Sequence, residues 1–200
     1  AAARKTIEIL NTTNIIPDWI EYLEGRISLM EQDWLAASLR IEQGRARMVA
    51  MNPALGPQID LNLAVCYERL GKWDLALQAY QRLKSHPSAA LATQMGLART
   101  YRALGKVDEA AARYAHLWET LQEAEVTIDP GLPVDLLKLR TAQQLKLAEN
   151  ERDWSQSDEL LRKIVADDRI QPVGKARLGA ELRLAKGEEQ MARSLIEKAC

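Results

Sequence analysis

The side chains that most often carry chemistry in proteins are few in this sequence and stand apart from one another. His86 precedes a proline, and His116 lies inside a helical pattern. The two cysteines, Cys66 and Cys200, are too few for a disulfide framework or a zinc site. Three acidic groups have ligand chemistry that suits a metal: Asp167 with Asp168, Glu119 with Glu123 and Glu125, and Glu188 with Glu189.

Solvated helix faces and helix ends explain these acidic groups better than a metal site does. The sequence contains no HExxH helix, no glycine-rich phosphate loop and no nucleophile elbow. We therefore predict that the chain is not an enzyme, and that it holds no cofactor and no metal.

Composition and charge exclude two further classes of protein. The 27 basic residues nearly balance the 28 acidic ones, giving a net charge of −1. A nucleic-acid coat or a polybasic membrane binder would need a basic excess, so we expect no nucleic-acid partner. No apolar run reaches the ~18 residues of a membrane-spanning helix, and we expect no membrane insertion of this segment. The chain lacks an initiator methionine and is helical in pattern at both ends, which predicts a piece of a longer protein.

The elements that must position any functional side chain are revealed by an internal repeat. Shifting the sequence by 34 residues lays Leu63–Leu83 over Leu97–Leu117, and 10 of the 21 positions are identical. In each copy, apolar residues spaced three and four apart predict one helix, a glycine ends it, and a second apolar stripe follows. Gly71 and Gly105 are those glycines. All seven prolines fall between the predicted helix pairs, where they cost least.

These copies resemble the tetratricopeptide repeat (TPR) family. The residues that carry the resemblance are Leu63, Ala64, Tyr67, Leu70, Gly71, Asp74, Ala76, Tyr80 and the closing Pro87. The pentatricopeptide family fits less well, since it has 35-residue units and a basic RNA-reading face. The resemblance implies an all-α, right-handed α-solenoid of antiparallel helix pairs, a TPR-like superhelix.

Weaker copies flank the central two. Asp33–Trp34 and Asp153–Trp154 repeat the turn before the second helix, and the second helix of the first copy is longer. The predicted units are a tail of a preceding repeat helix at 1–16, then repeats at 17–56, 57–88, 89–130, 131–171 and 172–200, with the fourth divergent and the fifth truncated.

The repeated positions predict helix packing. Gly25, Ala64 and Ala98 are expected to face Ala37, Ala76 and Ala110 across each helix pair, and the repeat tyrosines to fill the space between pairs. Trp34, Trp73 and Trp154 share one slot at the start of the second helix, and Cys66 is expected to be buried.

Function must then come from the surface of the array. The resemblance implies that first helices line a concave face that binds a peptide or partner segment. The candidate partner-binding residues on that face are Tyr22, Arg26, Asn62, Arg69, Arg99, Arg102 and Lys146. Repeat offsets place Arg26, Arg99 and Lys146 at equivalent points and predict that both arginines are exposed. A basic stripe of this kind favours an acidic partner, although charges that merely solvate the helices give the same pattern.

One TPR subtype can be excluded by its own residues. TPR co-chaperones bind the C-terminal carboxylate of a heat-shock chaperone through basic residues and asparagines of three repeats. Asn62 matches one of them, but Tyr22, Arg26, Ala92 and Gly96 stand at the other positions. We therefore predict a protein-interaction scaffold with another partner. The alternatives are a regulatory or sensor arm of a larger enzyme or transcription regulator, and a helical enzyme with a site not visible in the sequence.

Overall fold

A computed structural model of the protein describes residues 17–86 and 89–198. The predicted helix tail at 1–16, the closing Pro87 and Cys200 lie outside the described residues. Ten α-helices and no strand are present in the described ranges. In chain order, the helices are α1 (Pro17–Met30), α2 (Trp34–Met51), α3 (Gly56–Arg69), α4 (Trp73–Arg82), α5 (Ala90–Ala103), α6 (Val107–Glu123), α7 (Gly131–Leu145), α8 (Ser155–Ala166), α9 (Pro172–Ala185) and α10 (Glu189–Glu197). The predicted all-α fold of helix pairs is confirmed.

The chain forms two compact units. The first unit extends to Gly105 and the second begins at Lys106. In the first unit, α1 packs on α2, α2 on α3, α3 on α4, and α4 on α5. In the second unit, α6 packs on α7, α7 on α8, α8 on α9, and α9 on α10. Each helix therefore packs mainly on its neighbours in sequence, as expected for a repeat protein.

A left-handed residue ends the first helix of several pairs. Gly71 has φ +68°, Gly105 φ +71° and Gly187 φ +81°. The N–H that follows Gly71 donates to the carbonyl of Tyr67, five residues back, at 2.9 Å. This bond closes the helix end and reverses the chain within three residues. Gln32 takes the same conformation before α2, with φ +62°, although a side chain is strained there.

Small residues let the helices of the first unit approach one another. Ala37 and Ala76, on the second helices of the first two pairs, are completely buried. A Cβ on Gly25 would lie 2.6 Å from Cγ1 of Ile41, and a Cβ on Gly96 would overlap the ring of Tyr80. The backbone of α5 thus lies directly against that tyrosine, and no larger residue fits at position 96.

The core of the first unit follows the repeat pattern. Its buried cluster contains Tyr22, Ile41, Met48, Ile59, Leu63, Ala64, Tyr67, Ala76, Ala79, Tyr80, Leu83, Ala89 and Leu97. Cys66 is buried as well. The tryptophans at the start of second helices, in contrast, are only half-buried.

Prolines lie inside helices more often than the sequence predicts. Pro17 and Pro172 are the first residues of α1 and α9, Pro57 is the second residue of α3, and Pro133 is the third residue of α7. These positions correct the expectation that every proline falls between helices. A first-turn N–H has no acceptor within its own helix, so proline loses no hydrogen bond there.

The fourth pair departs from the repeat geometry. Because α7 ends at Leu145 and α8 begins only at Ser155, the connection is longer than in the other pairs and contains a 3₁₀ turn at Glu149–Glu151. Leu145 lies nine residues before Trp154, as the buried Ala64 lies nine residues before Trp73, yet Leu145 is 48% exposed. The repeat offset therefore does not carry over to α7.

Candidate partner-binding surface

The outward face of α3 is the best-defined part of the predicted surface. Gln58, Asn62, Val65 and Arg69 follow one another at intervals of four, three and four residues, which places them on one side of the helix. The amide of Gln58 donates to Oδ1 of Asn62 at 2.9 Å. Asn62 and Val65 are half-buried, and Arg69 is exposed. This face is neutral and apolar at its centre and basic at its C-terminal end.

Arg69 contacts an aromatic ring as well as solvent. Its guanidinium lies 5.5 Å from the centre of the Trp34 ring, at the start of α2. A cation over an indole ring is attracted by the ring's negative face. The pairing orients Arg69 toward the second helix of the preceding pair.

Arg99 is held by an acidic residue of α3. Its Nη2 and Nε donate to the two carboxylate oxygens of Glu68 at 2.9 and 3.3 Å. Glu68 is mostly buried, with 13% of its side chain exposed, while Arg99 is 41% exposed. The sequence predicts that Arg99 is exposed, and it does not predict this ion pair. A charge reversal at position 99 would therefore place a carboxylate against Glu68.

Tyr22 belongs to the core. Only 3% of it is exposed, and its ring meets the edge of Trp19 with the ring centres 6.3 Å apart. This corrects its predicted place on an open surface, because the apolar face of α1 turns it toward α2. Arg26, one turn later, is exposed and lies 6.0 Å from the Tyr22 ring centre. Arg102 is also exposed, in the last turn of α5.

Lys146 is not the structural equivalent of Arg26 and Arg99. Those arginines lie four residues before the ends of α1 and α5, whereas Lys146 caps the end of α7 in the second unit. Its ammonium contacts Oδ2 of Asp108 at 3.2 Å, and Gln143 donates to Oδ1 at 2.9 Å. These hydrogen bonds lower the pKa of Asp108. Lys146 thus links α7 to the first turn of α6, and the predicted stripe does not continue through it.

A buried ion cluster in the first unit has no counterpart in the sequence predictions. Asp60, on α3, is 5% exposed. Arg45 of α2 donates to it through Nε at 2.8 Å and Nη2 at 3.0 Å, and Arg82 of α4 donates through Nε at 2.7 Å. The hydrogen bonds to Asp60 raise the pKa of Arg45. The only signal in the sequence is an aspartate between two core positions, Ile59 and Leu63.

Other buried titratable groups are kept neutral by burial. Burial raises the pKa of Tyr67 to about 12, and the hydroxyl donates to Glu42 at 3.1 Å. Burial likewise raises the pKa of Cys66 to about 11 and that of Tyr80 above its ordinary range. None of these groups is poised for acid–base chemistry near neutral pH.

In residues 17–86 and 89–198, no three His, Cys, Asp or Glu side chains come together in a way that suits a metal ion. None of the helices in these ranges has the length and apolar character needed to cross a bilayer.

Comparison with known families agrees with the repeated helix pairs. Two tetratricopeptide repeat family models match the chain, one over residues 59–89 and the other over residues 95–126. Residues 59–89 and 95–126 are tetratricopeptide repeats. The matched segments are the two copies whose glycines at 71 and 105 end their first helices, so the predicted TPR resemblance is confirmed.

Three solved structures share the fold. The nearly identical TPR-like repeats of a protein from Podosopora anserina, named as a kinesin light chain, match with a TM-score of 0.66 and 20% identity, over 92% of this chain and 95% of theirs. A single-substitution variant of the same repeats matches with a TM-score of 0.65 and 20% identity, over 90% and 91%. BtubC (BKLC) from P. vanneervenii matches with a TM-score of 0.58 and 16% identity, over 99% and 87%. No curated protein matches this chain with significant similarity.

Proposed function

We propose that this TPR chain is a non-catalytic protein-interaction scaffold that binds a partner segment on the first helices of its first unit. Tetratricopeptide repeats generally mediate binding to other proteins or peptides. The repeat boundaries predicted from the sequence, at 17–56, 57–88, 89–130, 131–171 and 172–200, are part of the same proposal.

The observation that carries the proposal is the outward face of α3. It combines an amide pair, an apolar centre and an exposed arginine on one side of a helix whose opposite side is buried in the core. The adjoining helix α5 adds apolar and basic side chains, since Leu91 and Arg102 are exposed and Met95 is half-buried. Apolar positions flanked by hydrogen-bonding and charged groups are the usual anatomy of a peptide-binding groove.

The charge of this face favours an acidic or amphipathic partner segment. Arg26, Asn62, Arg69 and Arg102 are the proposed contact residues. Tyr22 is left out because it is buried, and Arg99 acts by fixing Glu68 and α5 in place. Lys146 belongs to the second unit and is left out because it pairs with Asp108.

Site-specific photo-crosslinking tests the surface directly. A photoreactive residue at Asn62 should capture the partner from the source cell, and one at Gln78, exposed on α4, should not. Once the captured protein is identified and purified, Arg26→Glu should weaken the affinity for it by up to about tenfold at low salt and by less at high salt. Arg193→Glu, an exposed site on α10, is the matched control. Capture from Gln78 alone would contradict the proposed surface.

A further inference from the structure

A polar pocket in the second unit lies outside the proposed partner-binding surface. Three helices contribute to it: α6 and α8 form its walls, and α7 provides a single side chain between them. Its main lining residues are Trp118, Glu119, Gln122, Arg140, Glu159 and Lys163.

Arg140 is the central feature of this pocket. It is half-buried, and among the described residues no side chain forms a hydrogen bond or an ion pair with its guanidinium. Burial lowers its pKa, while the more distant carboxylates of Glu119 and Glu159 act in the opposite direction. The guanidinium nevertheless stays charged, so five N–H donors are partly desolvated without a direct acceptor.

The neighbouring cation is already engaged. The ammonium of Lys163 contacts Glu159 at 3.4 Å and lies 5.8 Å from the centre of the Trp118 ring. Lys163 therefore pairs with Glu159, whereas Glu119, exposed on the rim, forms no ion pair with a described side chain and acts on Arg140 only from a distance. Gln122 and Gln156 add neutral amides, and Leu160 supplies a buried apolar floor.

This arrangement selects one kind of anion. A planar carboxylate accepts two parallel hydrogen bonds from the fork of an arginine, which gives both strength and orientation. The Glu119 carboxylate on the rim would repel a dianionic phosphate or a polyanion more strongly than a single carboxylate. The same carboxylate would attract a cation placed next to the bound anion.

We propose that the Arg140 pocket binds the carboxylate of an acidic residue in a partner peptide, with an adjacent basic residue at the Glu119 rim. Trp118 then provides the apolar wall against which the methylene groups of the bound side chains pack. This second site is independent of the surface on α1, α3 and α5, and it uses only residues of the second unit.

The test uses the whole chain and a defined probe, N-acetyl-Glu-Lys-amide. The arginine Nε–H NMR signal that disappears in Arg140→Gln belongs to Arg140. Titration with the dipeptide should shift that signal saturably, and Arg140→Gln should weaken dipeptide binding at least tenfold. Arg140→Lys, which keeps the charge but loses the fork, should bind more weakly than the parent. Arg162→Gln, exposed on α8 and absent from the pocket lining, is the matched control.

Two further probes test the selectivity. The phosphoserine–lysine analogue should bind more weakly than the dipeptide, and Glu119→Gln should reduce that difference. Unchanged dipeptide binding in Arg140→Gln, with a native amide spectrum, would overturn the proposal. So would equal affinity for the phosphorylated probe in the parent protein, or a free amino acid such as β-alanine binding as tightly as the dipeptide.

Discussion

The ion cluster at Asp60 allows a quantitative test of what joins the helices of the first unit. Asp60→Asn keeps the shape of the side chain but removes the charge that pairs with Arg45 and Arg82. Three hydrogen bonds at 2.7–3.0 Å then lose their charged acceptor. We expect the free energy of unfolding to fall, because two partly exposed guanidinium groups then face a neutral amide in place of the buried carboxylate.

The size of the effect follows from burial. A hydrogen bond to a charged group contributes about 1.5–3 kcal/mol, and breaking a fully buried ion pair costs about 3–5 kcal/mol. The side chains of Arg45 and Arg82 are 28% and 36% exposed, so water recovers part of their solvation. We therefore expect a loss of about 2–4 kcal/mol. For a chain of this length, that loss corresponds to a fall in Tm of roughly 4–16 °C.

Urea unfolding followed by circular dichroism measures this loss. Asp168→Asn, at an exposed loop position, is the control and should change stability by less than about 0.5 kcal/mol. The triple variant Arg45→Met/Asp60→Leu/Arg82→Met should be close to the parent, because it removes the buried charges together. A change below about 0.5 kcal/mol for Asp60→Asn would refute the reasoning that this carboxylate holds α2, α3 and α4 together.

Three other predictions concern packing, backbone strain and pH. Ala76→Leu should lower the free energy of unfolding by about 1–3 kcal/mol in a thermal melt, because the site is completely buried. Gln78→Leu, on the exposed face of the same helix, should be nearly neutral. Equal effects of the two substitutions would show that the helix register is wrong. Residues 32 and 71 both have positive φ, so Gln32→Gly should raise stability by up to about 1 kcal/mol and Gly71→Ala should lower it by a similar amount. A loss of stability in Gln32→Gly would contradict the expected backbone strain. Burial raises the pKa of Cys66 from 9.0 to about 11, so the stability contributed by its neutral thiol is present below pH 9 and is lost as the pH rises toward 11. Cys66→Ala should reduce this alkaline loss of stability, measured by urea unfolding at a series of pH values. An unchanged pH profile would exclude the thiol as the cause of the loss.

The predicted partner-binding residues separate into three groups once distances are known. Arg26, Asn62, Arg69 and Arg102 stay on helix faces that the sequence pattern alone identifies as outward. Arg99 is partly exposed but is paired with Glu68. Tyr22 and Lys146 do not lie on the predicted surface, and each fails for a definite reason. Tyr22 is turned into the core by the packing of α1 on α2, and Lys146 is displaced by the longer connection after α7.

The sequence by itself determined the helices, their pairing and the tight turn within each of the two strongest copies. Those features depend on local spacing: apolar residues three and four apart define a buried face, and a glycine with positive φ ends a helix. The repeated offset carries this local information from one copy to the next, as the matches over residues 59–89 and 95–126 confirm. It weakens wherever a connection changes length, as it does before Trp154.

Only the tertiary structure decided which charged residues meet. Asp60 lies 15 residues from Arg45 and 22 from Arg82, and Arg99 lies 31 residues from Glu68. No local periodicity relates such positions, because their contacts depend on how closely neighbouring helices approach and how each helix is rotated about its axis. Asp60 is buried, and Arg140 has no direct ionic partner among the described residues. Both properties depend on how the helices pack, and a pattern of residue types does not contain that information.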